Sequence, residues 1–317
     1  MTRPDLALLR WWFRPAPAER LAALRILVGG FAFLYLITRL PMLLGYADFP
    51  ARDFVPLGVT RLLGHPLGSG AHTAITIATV GLAVLFTLGV WYRVSAPLFA
   101  VALLWLLTYR NSWSMPFHTE NLLALHAIVL AMAPAAAAWS WDARRRAAPP
   151  AAEAYGWPLR LMAAITCLTY VLAGIAKLRV GGLGWAEGEF LRDQVAVDNL
   201  RKVLLGSDPS PLATPLLEHA WLFEAMAITT LALELGAPVA MIGGRVALGW
   251  AAMAWGFHVG IVALMAIVFP YPLAGVAYAP LFAAERPLRW LGRRLANLRL
   301  RGAGSEASAQ PERRHER

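Results

Sequence analysis

The chain has 317 residues, of which 58% are hydrophobic and 15% are charged, and its formal net charge is +10. This composition excludes an ordinary soluble domain and indicates a multi-pass membrane protein. The arginines lie in short loops and in the C-terminal tail, as the positive-inside rule predicts, so the charge does not indicate nucleic-acid binding. The single cysteine, Cys167, excludes an internal disulfide and a thiolate metal cluster.

Long apolar runs predict an all-α fold, a polytopic membrane bundle of about eight transmembrane helices. The predicted spans cover about 21–44, 73–90, 95–108, 118–137, 157–178, 220–242, 245–269 and 271–282. Three units follow from this pattern: a basic interfacial segment at 1–19, a transmembrane domain at 20–284, and a basic amphipathic and disordered tail at 285–317. Arg25, near the start of the first span, is expected to reach the headgroups.

Eight spans would place the basic N-terminus, the three arginines at 144–146 and the tail on one side of the membrane. The positive-inside rule therefore predicts that both termini are cytoplasmic. Frequent alanine and arginine are typical of a GC-rich bacterium, which favours the plasma membrane and membrane lipids as the immediate partners. The loop at 45–72 is expected to form a partly ordered cap, and the loop at 179–218 is expected to carry short helices.

A single lysine, Lys177, ends the fifth apolar run, and it shares a helical face with Tyr170 and Gly174 at i, i+4 and i+7. One interpretation is that its amine snorkels to the headgroups. The other is that the amine faces a cavity without a counter-ion, where desolvation would leave it neutral and able to accept a proton. Ionisable groups at membrane depth are functional candidates by default.

Further ionisable side chains lie in other predicted spans: His118, Glu120, His126, Glu224, Glu234 and His258. His118 and Asn121 are predicted on one face of the fourth span, with Glu120 on the opposite side. Because His118 and Glu120 diverge and no His-Glu-x-x-His pattern occurs, no metal is expected. Arg93 is predicted at the interface, in a tight hairpin between the second and third spans.

Several short motifs occur in this sequence in the same order as in a known family. They are the Leu-Arg-Ile-Leu-Val-Gly run at 24–29, Tyr-Arg-Val-Ser at 92–95, Ser-Trp before His118, Trp-Ser-Trp-Asp at 139–142, the 170–178 block that contains Lys177 with Trp-Ala-Glu-Gly after it, and Phe-His at 257–258. Over roughly 20–284 the chain resembles the membrane region of vitamin K-dependent gamma-carboxylase and the HTTM (horizontally transferred transmembrane) domain proteins of bacteria.

The resemblance implies that Lys177 deprotonates a reduced quinone of the vitamin K or menaquinol type and that His118 assists the chemistry. It further implies a protein or peptide substrate. His258 and Glu234 could orient groups or relay protons, and Tyr170, Asn121 and Arg93 are further supporting candidates. The carboxylase has a large lumenal domain after its membrane part that this chain does not match, so a simpler quinol-linked reaction is as much expected as carboxylation.

A second class of function stays open on the sequence. The chain could be a non-enzymatic maturation or immunity factor, or a small-solute transporter, in which the buried ionisable groups form structural ion pairs or a proton path. Transporters often contain two halves with matching broken helices, and the sequence contains no such repeat.

Overall fold

The computed structural model describes residues 3–113, 116–144, 149 and 151–294. Within these residues all regular elements are helical, and a single antiparallel bridge joins Ala16 to Ala152. The predicted all-α membrane bundle is therefore confirmed. Arg145, Arg146 and the tail beyond residue 294 lie outside the described residues.

The α-helices of the described chain, in order, are α1 (Arg3–Trp12), α2 (Ala18–Thr38), α3 (Leu40–Gly45), α4 (Ser69–Leu88), α5 (Tyr92–Asn111), α6 (Asn121–Ala131), α7 (Glu153–Gly181), α8 (Glu189–Leu204), α9 (Ala213–Leu217), α10 (Ala220–Leu235), α11 (Gly244–Met265) and α12 (Pro270–Leu273). Short 3-10 helices occupy Tyr46–Asp48, Ala51–Asp53, Gly58–Leu62, Gly182–Glu187, Ala237–Ile242 and Val276–Leu281. Residues 285–294 are again helical.

Five helices of the described chain are long and apolar enough to cross a membrane: α2, α4, α5, α7 with the turn after it, and α11. They correspond to the first, second, third, fifth and seventh predicted spans. The other three predicted spans contain shorter elements, namely α6 with 11 residues, α10 with 16 residues, and α12 followed by Val276–Leu281. The fourth predicted span was too long, because its helix begins at Asn121 and ends at Ala131.

The predicted hairpin between α4 and α5 is confirmed. Gly89 and Trp91 both adopt left-handed backbone conformations, with φ of 65° and 47°, which reverse the chain within three residues. The carboxylate of Asp142 accepts hydrogen bonds from the backbone N–H groups of Trp91 and Tyr92, at 3.0 and 2.8 Å. These bonds satisfy N–H groups that the start of α5 leaves without helical partners.

The expectation for Arg25 was wrong, because its side chain is completely buried and does not reach the headgroups. Its Nη2 donates a 2.5 Å hydrogen bond to the carbonyl of Trp139. The guanidinium fills the space beside Gly89, where a Cβ would lie 1.9 Å from Arg25 Nη1. Only glycine fits at a position that combines this contact with a positive φ.

The chain returns from α11 through a partly buried segment at 269–284, which contains the short helix α12 and the 3-10 helix Val276–Leu281. Side chains of neighbouring helices satisfy two of its carbonyls: Trp255 Nε1 donates to the carbonyl of Leu273 at 2.9 Å, and Thr166 Oγ1 donates to that of Ala277 at 3.0 Å. Non-helical backbone at membrane depth is tolerated where protein surrounds it. The segment brings Phe269 and Tyr278 against α7 and α11.

The long connection after Lys177 carries helices of its own, as predicted: Gly182–Glu187, α8 and α9. It then leads into α10, which packs along α7. Gly188, with φ of 87°, touches the start of α10 so closely that a Cβ would lie 2.4 Å from the backbone nitrogen of Glu224. This close approach helps to set where α10 lies along α7.

Candidate functional site

A cavity of about 240 Å³ lies beside the C-terminal half of α7. Its walls come from α7, the end of α10, α11, the residues before α6 and the start of the returning segment. Five of the seven site residues predicted from the sequence line it: His118, Tyr170, Lys177, Glu234 and His258. Tertiary structure thus gathers side chains that lie up to 140 positions apart in the chain.

The amine of Lys177 is paired with Glu234. Its Nζ donates to Oε1 at 2.6 Å and to Oε2 at 2.8 Å. The Glu234 side chain is 2% exposed and that of Lys177 is 25% exposed. The expectation of an unpaired amine was therefore wrong, although the cavity beside the amine is present. The amine also lies 5.4 Å from the ring centroid of Trp185.

Gly174, one turn before Lys177, explains why Glu234 comes so close. A Cβ at Gly174 would lie 2.9 Å from Cδ2 of Leu235 and 3.2 Å from Cβ of Glu234. The missing side chain lets the end of α10 pack directly on α7, as small residues do at helix interfaces in membranes. The end of α10 therefore covers the part of α7 that contains Gly174 and Lys177, whereas Tyr170 contacts α11 and the returning segment.

A second cluster of polar side chains surrounds Tyr170. Its Oη shares a hydrogen bond of 2.9 Å with Nε2 of His258 and one of 2.8 Å with Oη of Tyr278. His258 is 6% exposed, and its other ring nitrogen, Nδ1, is buried without a hydrogen-bond partner among the described residues. A buried polar atom of this kind costs stability unless a ligand or water satisfies it.

Tyr278 was not among the predicted site residues. The only sequence signal for it is a tyrosine hydroxyl inside an apolar stretch, which must find a polar partner when it is buried. That signal does not say which partner, because Tyr278 and Tyr170 are 108 positions apart.

His118 lies at the open side of the cavity, before α6 begins, and is exposed. Its ring centroid is 5.7 Å from that of Phe269, and the His258 centroid is 5.0 Å from the same ring. The two histidines therefore contact one phenylalanine at the mouth of the cavity. Glu120 faces another way, as predicted, and is paired with Arg110 at 2.9 Å.

Two supporting candidates do not line the cavity. Asn121 is exposed at the start of α6, and Arg93 is exposed at the start of α5. His126, another ionisable group in an apolar run, is completely buried and shares a 2.7 Å hydrogen bond with Oη of Tyr271. This bond ties α6 to the returning segment, which is a structural role. The described residues contain no group of three or more His, Cys, Asp or Glu side chains placed to hold a metal ion.

An apolar groove of about 460 Å³ adjoins the cavity. Phe257 and Ile261 of α11 line both of them. The groove runs between α8, α10 and α11 and is lined by side chains such as Val195, Met226 and Leu264. A polar recess next to an apolar groove suits a ligand that has a polar head and a hydrocarbon chain.

Comparison with known proteins gives one match. The family model described as HTTM domain matches residues 13–286. No curated protein and no solved structure matches the chain. The matched range contains every residue of the cavity.

Proposed function

Because this multi-pass membrane protein belongs to the HTTM domain family, we propose that it is a membrane enzyme that acts on a lipid-soluble substrate of the reduced-quinone type in the Lys177 cavity. The observation that carries the proposal is the gathering of an ion pair, two histidines and a tyrosine around one recess beside an apolar groove. The polar head of the substrate would occupy the recess, and its hydrocarbon chain would lie in the groove.

The residues fit such a head group. The buried Nδ1 of His258 lacks a partner in the described chain and can exchange a hydrogen bond with a ring oxygen or hydroxyl. Tyr170 holds the opposite ring nitrogen of this histidine and so fixes the orientation of the imidazole. The plasma membrane supplies lipid-soluble ligands directly to an apolar groove.

Lys177 acts as the base in this proposal, and its ion pair with Glu234 determines how the amine becomes neutral. The 2.6 Å hydrogen bond is the route by which the ammonium passes one proton to Glu234. The neutral amine then takes the proton of a substrate hydroxyl, so that the O–H bond breaks and the oxygen keeps the electron pair. The Lys177–Glu234 ion pair has gained one proton overall. The Lys177 ammonium then stabilises the substrate anion that has formed. His118, at the mouth, exchanges protons with groups outside the cavity.

The test compares the two lysines of the chain, Lys177 and Lys202. Lys177→Met removes the base, whereas Lys202→Met removes a lysine that is ion-paired with Asp198 away from the cavity. Both variants and the wild type are purified in detergent, and the oxidation of added menaquinol by oxygen is followed by absorbance. General bases contribute about 10²–10⁴-fold to rates. We expect a loss of that size in Lys177→Met only.

A second function is favoured by one specific observation, the Lys177–Glu234 ion pair itself. In a non-enzymatic maturation or immunity factor, or in a small-solute transporter, this pair would join α7 to α10 or form part of a proton path. Such a protein would lose stability in Lys177→Met and would have no menaquinol oxidation to lose. Menaquinol oxidation at the wild-type rate in a folded Lys177→Met protein would refute the proposed enzyme.

A further inference from the structure

A second cavity, at the other end of α7, is lined by three arginines. It has a volume of about 460 Å³ and lies between the N-terminal segment, the start of α7 and the end of the returning segment. Arg14, Arg20 and Arg160 line it together with Trp11. Nothing in the chemistry proposed for the Lys177 cavity uses these residues.

Backbone contacts fix the geometry of this cavity. Arg160 Nη1 donates to the carbonyls of Trp12 and Arg14, at 3.0 and 2.9 Å, and the guanidinium carbon lies 5.6 Å from the ring centroid of Trp11. The segment passes so close to α7 that a Cβ at Gly156 would lie 2.1 Å from the Arg14 carbonyl oxygen. The Arg160 guanidinium and the backbone of the N-terminal segment are therefore held against each other before any ligand arrives.

The charges do not cancel. Glu285 accepts two hydrogen bonds of 2.9 Å from Arg20 and neutralises that one arginine. The nearby Glu19 is paired with Arg289 at 2.9 Å. Among the described residues that line the cavity none is acidic, so Arg14 and Arg160 leave an excess positive charge there.

The rest of the surroundings indicates a membrane surface. The helix α1, next to the cavity, exposes Leu6, Leu8 and Leu9, and Trp11 and Phe13 follow with exposed rings. A helix of this kind lies in the interface between headgroups and acyl chains. Apolar side chains such as Ala163 and Met241 also line the cavity. A ligand here therefore meets both cations and apolar side chains.

We propose that this cavity binds a phosphate group at the membrane surface. Arginine is suited to this role because its planar fork of N–H donors matches phosphate oxygens. Basic pockets between membrane helices bind anionic lipid headgroups for the same reason. The phosphate could belong to a phospholipid, whose acyl chains would lie on the apolar wall, or to free inorganic phosphate.

The experiment uses the full chain in detergent. One arm adds phosphatidylglycerol in mixed micelles and counts retained lipids by native mass spectrometry, with phosphatidylcholine for comparison. The other arm adds inorganic phosphate and follows the melting temperature. The test variant is Arg14→Gln, because Arg14 is exposed and its loss leaves the Arg160 contacts to the backbone carbonyls intact. The matched control is Arg245→Gln, an exposed arginine at the start of α11 that does not line the cavity.

One basic residue near an anionic surface changes affinity about fivefold. We expect retained phosphatidylglycerol to fall by about that factor in Arg14→Gln and to stay unchanged in Arg245→Gln. Arg160→Lys is the second variant: it keeps the charge but not the planar fork, and we expect it to lose retention of phosphatidylglycerol too.

A melting shift with inorganic phosphate alone, absent in Arg14→Gln, would assign the site to the free ion. Equal retention of the two lipids without any phosphate shift, or equal effects of Arg14→Gln and Arg245→Gln, would overturn the proposal.

Discussion

At the scale of single residues, the two partners of the central ion pair stand in different surroundings. Glu234 is almost completely buried, whereas a quarter of the Lys177 side chain is exposed. Removing the lysine leaves a buried carboxylate without its counter-charge. Removing the carboxylate leaves an ammonium that can turn toward solvent. The cost of breaking the pair therefore depends on which partner is lost.

We predict that Lys177→Met destabilises the protein more than Glu234→Gln does. Breaking a buried pair costs about 3–5 kcal/mol, and the partial exposure of Lys177 places this pair at or below the lower limit. The double variant should recover part of the loss, with a coupling of roughly 1–3 kcal/mol. The melting temperatures of the wild type, the two single variants and the double variant in detergent measure this coupling. Additive losses would show that the two side chains do not interact.

At the scale of elements, glycines decide how closely the chain approaches α10. Gly188 and Gly275 share nearly the same backbone conformation, with φ and ψ of 87° and −14° and of 74° and −9°. They differ in their surroundings. A Cβ at Gly188 would collide with the backbone of Glu224, whereas a Cβ at Gly275 would meet nothing within 4 Å.

This comparison makes a prediction with an internal control. Gly188→Ala and Gly275→Ala both place an alanine in a left-handed backbone conformation, which costs about 1–2 kcal/mol of stability in each variant. Gly188→Ala must also push α10 away from the connection, which adds roughly 1–3 kcal/mol of overpacking. We expect the melting temperature to fall further in Gly188→Ala. Equal melting temperatures would mean that α10 does not depend on this contact.

At the scale of the whole molecule, ion pairs join the beginning of the membrane domain to its end. Arg20 and Glu285 are 265 positions apart and form two hydrogen bonds, and Glu19 pairs with Arg289. Burial by itself would raise the pKa of Glu285, but the hydrogen bonds and charge of Arg20, with the charge of Arg289, lower it below the ordinary value. The contact therefore stabilises the fold through the ionised carboxylate.

The sign of the pH dependence follows from the lowered pKa. The contribution of Glu285 is fully present above the pKa of an unfolded glutamate, about 4.3, and is lost as the pH falls through the lower folded value. We predict that Glu285→Gln melts below the wild type at pH 7, that the difference shrinks as the pH falls below about 4.3, and that it is lost once the carboxyl of the folded protein is protonated. Glu218→Gln, at an exposed glutamate, should show no such difference. If the difference in melting temperature between Glu285→Gln and the wild type stayed constant across these pH values, the Arg20–Glu285 ion pair would not be its cause.

Much of the architecture was predictable because it depends on local patterns. Long apolar runs predicted α2, α4, α5, α7 and α11, and the four-residue connection predicted the hairpin at Arg93. The shorter spans were less well predicted, because hydropathy does not separate a complete helix from a broken one. In the returning segment at 269–284, side chains of other helices satisfy the carbonyls of Leu273 and Ala277, and no local sequence pattern predicts those contacts.

The residues alone are enough to identify a helical membrane protein and a small set of ionisable groups within its apolar runs: His118, Glu120, His126, Lys177, Glu224, Glu234 and His258. They are enough because placing a charge or a polar group among apolar residues costs free energy wherever the helices lie. Which of these groups meet depends on the folded chain. The pairing of Lys177 with Glu234 and the link from Tyr170 to Tyr278 depend on how α10 and the returning segment pack on α7. Asn121 and Arg93 stand outside the cavity, at the exposed starts of α6 and α5. Close approaches at Gly174 and Gly188 set part of that packing, and their effect appears only when the helices are in contact.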